Sequence, residues 1–185
     1  MKVIEHDILA HAETASKMLF RANLYFEAWW QSASVEGRRE FKHFWDEYWE
    51  FWRFNQHAMQ FAFIVYTAGL FENRADTVNF RSLWREARGH ANTEALVRYE
   101  QIWQRAQPTA KSITILRSTA MAHRSLTLSF NEAFKLANVT PDQLREQLRL
   151  SWELLNIIEE ALGINRSEFD PIAVDTLRSL AKLKD

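Results

Sequence analysis

Glycine and proline are scarce in this chain, and long stretches contain neither. The 185 residues include four glycines and three prolines. Folds built from many short strands need these residues in their turns, whereas long helices exclude them from their interiors. The scarcity therefore predicts a helical fold. A hydrophobic fraction of 47% is typical of a globular protein with a sizeable core, and the length predicts a single domain over residues 1–185.

Apolar residues recur at three- and four-residue spacing, which is the period of a half-buried helix. The clearest case predicts a first helix over residues 5–33. Its predicted buried face consists of Ile8, Ala12, Ala15, Leu19, Ala22, Phe26 and either Trp29 or Trp30. Asn92 and Thr140 are predicted N-caps of later helices, and Pro108 predicts an interruption before a helix over residues 108–125. No segment alternates as a strand does, so we predict an all-α bundle of about five main helices with short extra helices.

Aromatic residues crowd the first half of a second predicted helix, which covers residues 38–71 and follows a cap at Ser34. One stripe along it consists of Phe41, Trp45, Tyr48, Trp52, Asn55 and Met59. Further aromatic residues lie off that stripe: Phe44, Trp49, Phe51 and Phe54. A helix that is aromatic on more than one face must be covered on more than one face. We expect it to run through the middle of the bundle; the alternative is that part of it meets a second subunit.

Composition excludes several classes of protein. A formal net charge of −1 gives no overall field that would attract nucleic acid. The absence of cysteine excludes disulfides, thiolate metal sites and a cysteine nucleophile. Residues 1–13 lack the apolar core of a signal peptide, and the most apolar run, residues 61–71, falls well short of the roughly 20 residues that span a bilayer. We expect a soluble, cytoplasmic protein that does not enter a membrane.

The middle of the chain is basic, while the remainder is acidic. Eight arginines and lysines and three glutamates lie between Arg81 and Arg124. Such an excess fits a local anion-binding site; an ordinary charged helix surface is the alternative interpretation.

One pair of residues has a spacing known from metal sites. Glu40 and His43 match the Glu-x-x-His spacing of di-iron bundles, but those sites need a second such pair from another helix. The chain contains no second Glu-x-x-His and no glycine-rich phosphate loop. We interpret the pair as a surface pair and predict no metal site and no cofactor.

The segment LRSTAMAHRS, residues 116–125, sets Arg117 and His123 among small residues. Across six residues an α-helix advances about 9 Å and turns about 240°, so the two side chains would not share one face. One interpretation is structural: the histidine is satisfied by a neighbour, and the arginine fixes a carboxylate. The other interpretation is that the two residues form part of a site.

The two side chains together have the chemistry for cutting RNA without a metal. A histidine can take the proton of a 2′-hydroxyl or protonate the leaving oxygen near neutral pH. An arginine can stabilise the charge that develops on phosphorus. Two copies of the chain that meet at a two-fold axis would bring two arginines and two histidines together and form a cleft.

The same segment resembles the Arg-x(4–6)-His motif of HEPN-domain proteins. Its surroundings resemble the AbiU-like, abortive-infection branch of that family. FAFIVYTAGLFENRADTVNFRSLWRE is similar to the helix, polar loop and short helix of that branch, and VTPDQLREQLRLSWELLNIIEEALG is similar to its helix after the motif. The similarity covers roughly residues 10–165.

The resemblance implies a helical homodimer that acts as a metal-independent ribonuclease in phage defence or in a toxin–antitoxin system. RNA and an antitoxin protein are the implied partners. Arg117 and His123 become the catalytic candidates, and Ser118 and Arg124 become candidate substrate-binding residues. Active members usually have asparagine or aspartate where this chain has Ser118, and often an acid soon after the histidine, where this chain has Arg124 and Ser125.

Two further interpretations remain open. The first is a catalytically inactive HEPN-like dimer that acts as a binding or regulatory module, in which Arg117 and His123 contribute only stability. The second is a monomeric interaction module that uses the aromatic helix at residues 41–54.

Overall fold

Eight α-helices and one π-helical turn make up the part of the chain that the structure describes. This structure is a computed structural model, and it describes residues 6–122 and 130–164. The α-helices are α1 (His6–Ala33), α2 (Val35–Glu40), α3 (Lys42–Glu47), α4 (Trp49–Leu70), α5 (Phe80–Ala87), α6 (Thr93–Leu116), α7 (Phe130–Ala137) and α8 (Pro141–Ala161). The π-helical turn covers Arg117–Ala122. No strand occurs in these residues, and the predicted all-α bundle is confirmed.

The first helix, α1, contributes a long buried face to the core. Every residue of the predicted face is at most 6% exposed: Ile8, Ala12, Ala15, Leu19, Ala22, Phe26 and Trp29. The helix packs mainly on α4 and also contacts α8 and α5. Phe26 meets Phe63 of α4 edge to face, with ring centroids 5.4 Å apart. Because burying a side chain of this size contributes about 1.5–3 kcal/mol, the face of α1 is a main source of stability.

A second packed pair consists of α6 and α8. The Asn92 side chain caps α6 by accepting a hydrogen bond from the backbone N–H of Ala95 at 2.8 Å. Thr140 and Gln143 form a reciprocal capping box at the start of α8. Both predicted caps are therefore confirmed, and they fix where the two helices begin.

The predicted interruption at Pro108 is wrong, because α6 runs without a break from Thr93 to Leu116. Ala106 and Ala110 are buried on either side of the proline, so packing holds the helix in place. Pro108 itself lies on the exposed face. The proline has no N–H to donate to the carbonyl of Gln104, and Gln104 is exposed as well.

The second predicted helix is divided into α2, α3 and α4. Phe41 and Tyr48 separate the three helices, and their backbones leave the helical region at φ −107° and −109°. The bends bring Trp45 against Trp52, with ring centroids 4.1 Å apart in an edge-to-face arrangement. Phe41 completes this small cluster, which is separate from the main core. The aromatic sequence thus folds partly onto itself.

The expectation that this aromatic segment runs through the middle of the bundle is wrong. Trp49, Phe51 and Phe54 are between 57% and 76% exposed, so the start of α4 lies at the edge of the fold. An exposed aromatic surface of this kind is typical of an interface with another protein. Contact with a second subunit stays a prediction.

Gly37 provides a test of how closely α2 approaches the end of α1. A Cβ atom on Gly37 would overlap the backbone of Gln31, and backbone cannot move aside as a side-chain end can. We expect Gly37→Ala to lower the free energy of unfolding by about 1–3 kcal/mol, measured by denaturant titration. Gly69→Ala is the matched control, because its new methyl group meets only the flexible end of Met18 at 3.1 Å. Equal destabilisation by the two substitutions would contradict this packing.

Candidate catalytic site

Arg117 is held by a carboxylate from a distant part of the sequence. It opens the π-helical turn, and its guanidinium forms an ion pair with Glu72, which lies just after α4. The arginine side chain is 35% exposed and the glutamate side chain 16%. A partly buried pair is screened less than a surface pair. The guanidinium is therefore held by the carboxylate while part of the arginine side chain still faces solvent.

The backbone around Arg117 differs from the predicted α-helix over residues 108–125. Residues 117–122 are π-helical, with the wider i→i+5 hydrogen-bonding pattern that is rare and often found at functional sites. The offset of about 240° predicted for Arg117 and His123 assumes an α-helix, so it does not describe this turn. His123 and Arg124, two of the predicted site residues, lie outside the described residues.

Ser118 is exposed, and its side chain bonds to the backbone of the preceding helix. Its hydroxyl donates a hydrogen bond to the carbonyl of Ile115 at 3.1 Å. The residue that positions Arg117 is therefore Glu72 rather than the polar residue that follows the arginine. Sequence reasoning missed Glu72, because no local pattern links two residues so far apart. The one available signal is that Glu72 is the first polar residue after the apolar run at 61–71.

The loop that begins at Glu72 has a fixed shape. Asn79 is 1% exposed, and its amide nitrogen donates to the carbonyls of Arg74 and Thr77 at 2.8 and 3.0 Å. Its amide oxygen accepts a hydrogen bond from the backbone N–H of Ser82 at 2.8 Å and so caps α5. One buried asparagine thus ties the loop to the following helix, which keeps Glu72 in place for Arg117.

Five arginines of the basic middle form two groups in space. One group lines a cavity beside the loop: Arg81, Arg85 and Arg88. Arg98 and Arg105 instead pair with glutamates of α8, at N–O distances of 3.8 and 3.1 Å. The local anion site stays a prediction, and we expect it at the first group, because that group lines a cavity.

The described residues offer no metal site. No group of three or more histidine, aspartate or glutamate side chains within residues 6–122 and 130–164 is arranged to hold an ion. Glu40 and His43 are both exposed, and the break at Phe41 places them on different helices.

None of the helices in the described part of the chain has both the length and the apolar character needed to cross a bilayer.

The strength of the Arg117–Glu72 pair can be measured with a double-mutant cycle. We expect Arg117→Gln and Glu72→Gln each to destabilise the protein, and the double variant to cost less than the sum. The coupling free energy should be about 1–2 kcal/mol because the pair is partly buried. The exposed Glu13–Lys17 pair is the matched control, and its coupling should be clearly weaker because both side chains are open to solvent. Similar couplings in the two cycles would contradict a positioning role for Glu72.

Comparison with known proteins supplies the family. The family model of AbiU2, a HEPN-domain family, matches residues 5–178. No curated protein and no solved structure matches the chain. The family match includes all eight helices described above and agrees with the resemblance carried by LRSTAMAHRS. The chain therefore belongs to the AbiU2 family of HEPN-domain proteins.

Proposed function

We propose that this protein is a metal-independent ribonuclease of a phage-defence or toxin–antitoxin system. It acts in the cytoplasm and cuts RNA at a cleft that two copies of Arg117 and His123 form across a homodimer. The observation that carries this proposal is the state of Arg117, whose guanidinium is held by Glu72 while 35% of its side chain stays exposed. A positive charge that is already in place needs little reorganisation when a phosphate arrives.

The chemistry follows from the two residue types. One His123 takes the proton of a 2′-hydroxyl, and the freed oxygen attacks the neighbouring phosphorus. Arg117 stabilises the negative charge on the phosphoryl oxygens. The His123 of the second copy protonates the departing 5′-oxygen. The products are a 2′,3′-cyclic phosphate and a 5′-hydroxyl, and the proton balance needs no metal.

The two predicted substrate-binding residues have different roles in this scheme. Arg124 adds a second positive charge close to His123 in the sequence. Ser118 is bonded to the carbonyl of Ile115, so its hydroxyl reaches RNA only after it rotates away from that carbonyl. The serine therefore contributes less than the asparagine or aspartate usual at this position in active members.

A second candidate function is a catalytically inactive dimer that binds a regulatory partner such as an antitoxin protein. The observation that favours it is the same ion pair, because an arginine engaged by a carboxylate can be purely structural. The exposed aromatic surface at Trp49, Phe51 and Phe54 gives such a module a surface for a partner.

Incubation with total RNA in the presence of a chelator separates the two candidate functions. We expect the wild-type protein to cut RNA, and Arg117→Ala and His123→Ala each to lower the rate by about 100-fold or more. Arg105→Ala is the control, since Arg105 is an exposed arginine of α6 paired with Glu146, and its rate should stay near that of the wild type. Equal cleavage by all variants, or none by the wild type, would overturn the ribonuclease proposal.

Two physical measurements complete the test. Sedimentation should give a dimer, and a monomer would remove the paired-site mechanism. Thermal melts of the same variants identify the inactive module: both substitutions would then lower the melting temperature while the wild type cuts no RNA.

A further inference from the structure

A cavity of about 540 Å³ lies next to the Glu72 loop and outside the turn that carries Arg117. Its walls come from the loop and from α5 and α6. The volume is within the range of sites that hold small organic molecules. The cavity is a separate feature from the cleft proposed above, because neither Arg117 nor Glu72 lines it.

Arginines dominate the charge of this cavity, with four in its lining against one glutamate. Two of the four are engaged by neighbours. Arg74 donates to both carboxylate oxygens of Asp76, at 3.0 and 2.7 Å. Arg81 donates to the side-chain oxygen of Asn73 at 2.8 Å. These contacts fix the rim of the cavity and leave it with a positive excess.

The other two arginines make no hydrogen bond to a carboxylate that the structure describes. The nearest Arg85 nitrogen lies 3.8 Å from the carboxylate of Glu86, which is longer than a hydrogen bond. Arg88 forms no ion pair with any side chain that the structure describes. The single acidic group of the lining, Glu100, accepts a hydrogen bond from Gln104 at 2.9 Å. An anion entering the cavity would therefore find two guanidinium groups one helical turn apart on α5 and its end.

Stacked aromatic rings line the same cavity. Trp84 and Tyr99 are nearly parallel, with centroids 4.1 Å apart and planes 10° from each other. Trp103 continues the stack at 6.0 Å from Tyr99 and is itself stacked on Phe71 at 5.6 Å, so Trp84 is at the end of this stack. The Tyr99 hydroxyl donates to the carbonyl of Phe80 at 3.1 Å, and burial raises the pKa of Tyr99, so the wall stays uncharged. Packed indole rings of this kind offer a surface to a flat heterocycle.

We propose that this cavity binds a phosphorylated nucleoside, with its phosphate on Arg85 and Arg88 and its base against Trp84. The arginines alone would accept any anion, and the aromatic rings alone would accept any flat apolar group. A nucleotide matches both parts of the lining, because its planar base is joined to a phosphate. The ligand is either a free mononucleotide or one nucleotide of an RNA strand. Binding at this site goes beyond the proposed cleavage and does not require it.

The loop connects this cavity to Arg117. Asn73, which lines the cavity, directly follows Glu72, which holds the arginine, and consecutive Cα atoms are about 3.8 Å apart. The cavity and the Arg117–Glu72 pair are therefore joined by one loop.

Binding measurements with two probes test the proposal. The first probe is a set of four mononucleotides, AMP, GMP, CMP and UMP, and the binding of each is measured by titration calorimetry. The second probe is a short fluorescent single-stranded RNA, and its binding is measured by fluorescence anisotropy. We expect the Arg85→Gln/Arg88→Gln variant to weaken binding of the recognised probe about tenfold or more, because charge-assisted hydrogen bonds to phosphate are lost. The matched control is Arg39→Gln/Arg53→Gln, which removes two exposed arginines outside the cavity and should change affinity less than about twofold.

Each outcome has a defined meaning. Binding of mononucleotides that the cavity variant weakens selectively identifies a free nucleotide as the ligand. Binding of RNA alone, weakened in the same selective way, identifies a nucleotide of a strand. No binding of either probe, or equal loss in the cavity and control variants, would overturn the proposal. Selective binding without RNA cleavage would contradict the ribonuclease proposal and support the nucleotide site.

Discussion

Burial of one face of α1 is the constraint on which the rest of the structure depends. That face runs from Ile8 to Trp29 and packs on α4 and α8. The buried residues of α4 lie mostly in its second half, so the helix ends at a fixed point beside the core. Glu72 follows this end, and its ion pair with Arg117 joins α4 to the turn after α6. Apolar packing thereby sets the position of the charged groups.

The sequence predicts most of the fold where local rules decide the outcome. The apolar period of α1 and the caps at Asn92 and Thr140 follow from spacing and side-chain chemistry alone. Pro108 predicts an interruption, but its exposed position and the buried residues around it let α6 continue. The bends at Phe41 and Tyr48 could not be predicted, because they depend on which aromatic rings meet after folding rather than on glycine or proline.

The candidate site is predictable only in part, for a related reason. Arg117 stands out because of its small neighbours and its resemblance to a family motif. Its partner Glu72 does not, since pairing across the fold leaves no periodic trace in the sequence. The basic middle does predict an anion site, yet only the structure separates the arginines that face a cavity from Arg98 and Arg105, which face α8. The exposed aromatic surface of α4 likewise follows from tertiary packing.

The most direct test is a crystal structure of the protein bound to a short RNA in which the attacking 2′-hydroxyl is replaced by hydrogen. We predict a two-fold dimer in which both copies of Arg117 contact the scissile phosphate and both copies of His123 face it. Another nucleotide of the same strand should lie against Trp84. RNA bound elsewhere, for example on the aromatic surface around Phe54, with Arg117 contacting only Glu72, would contradict the account.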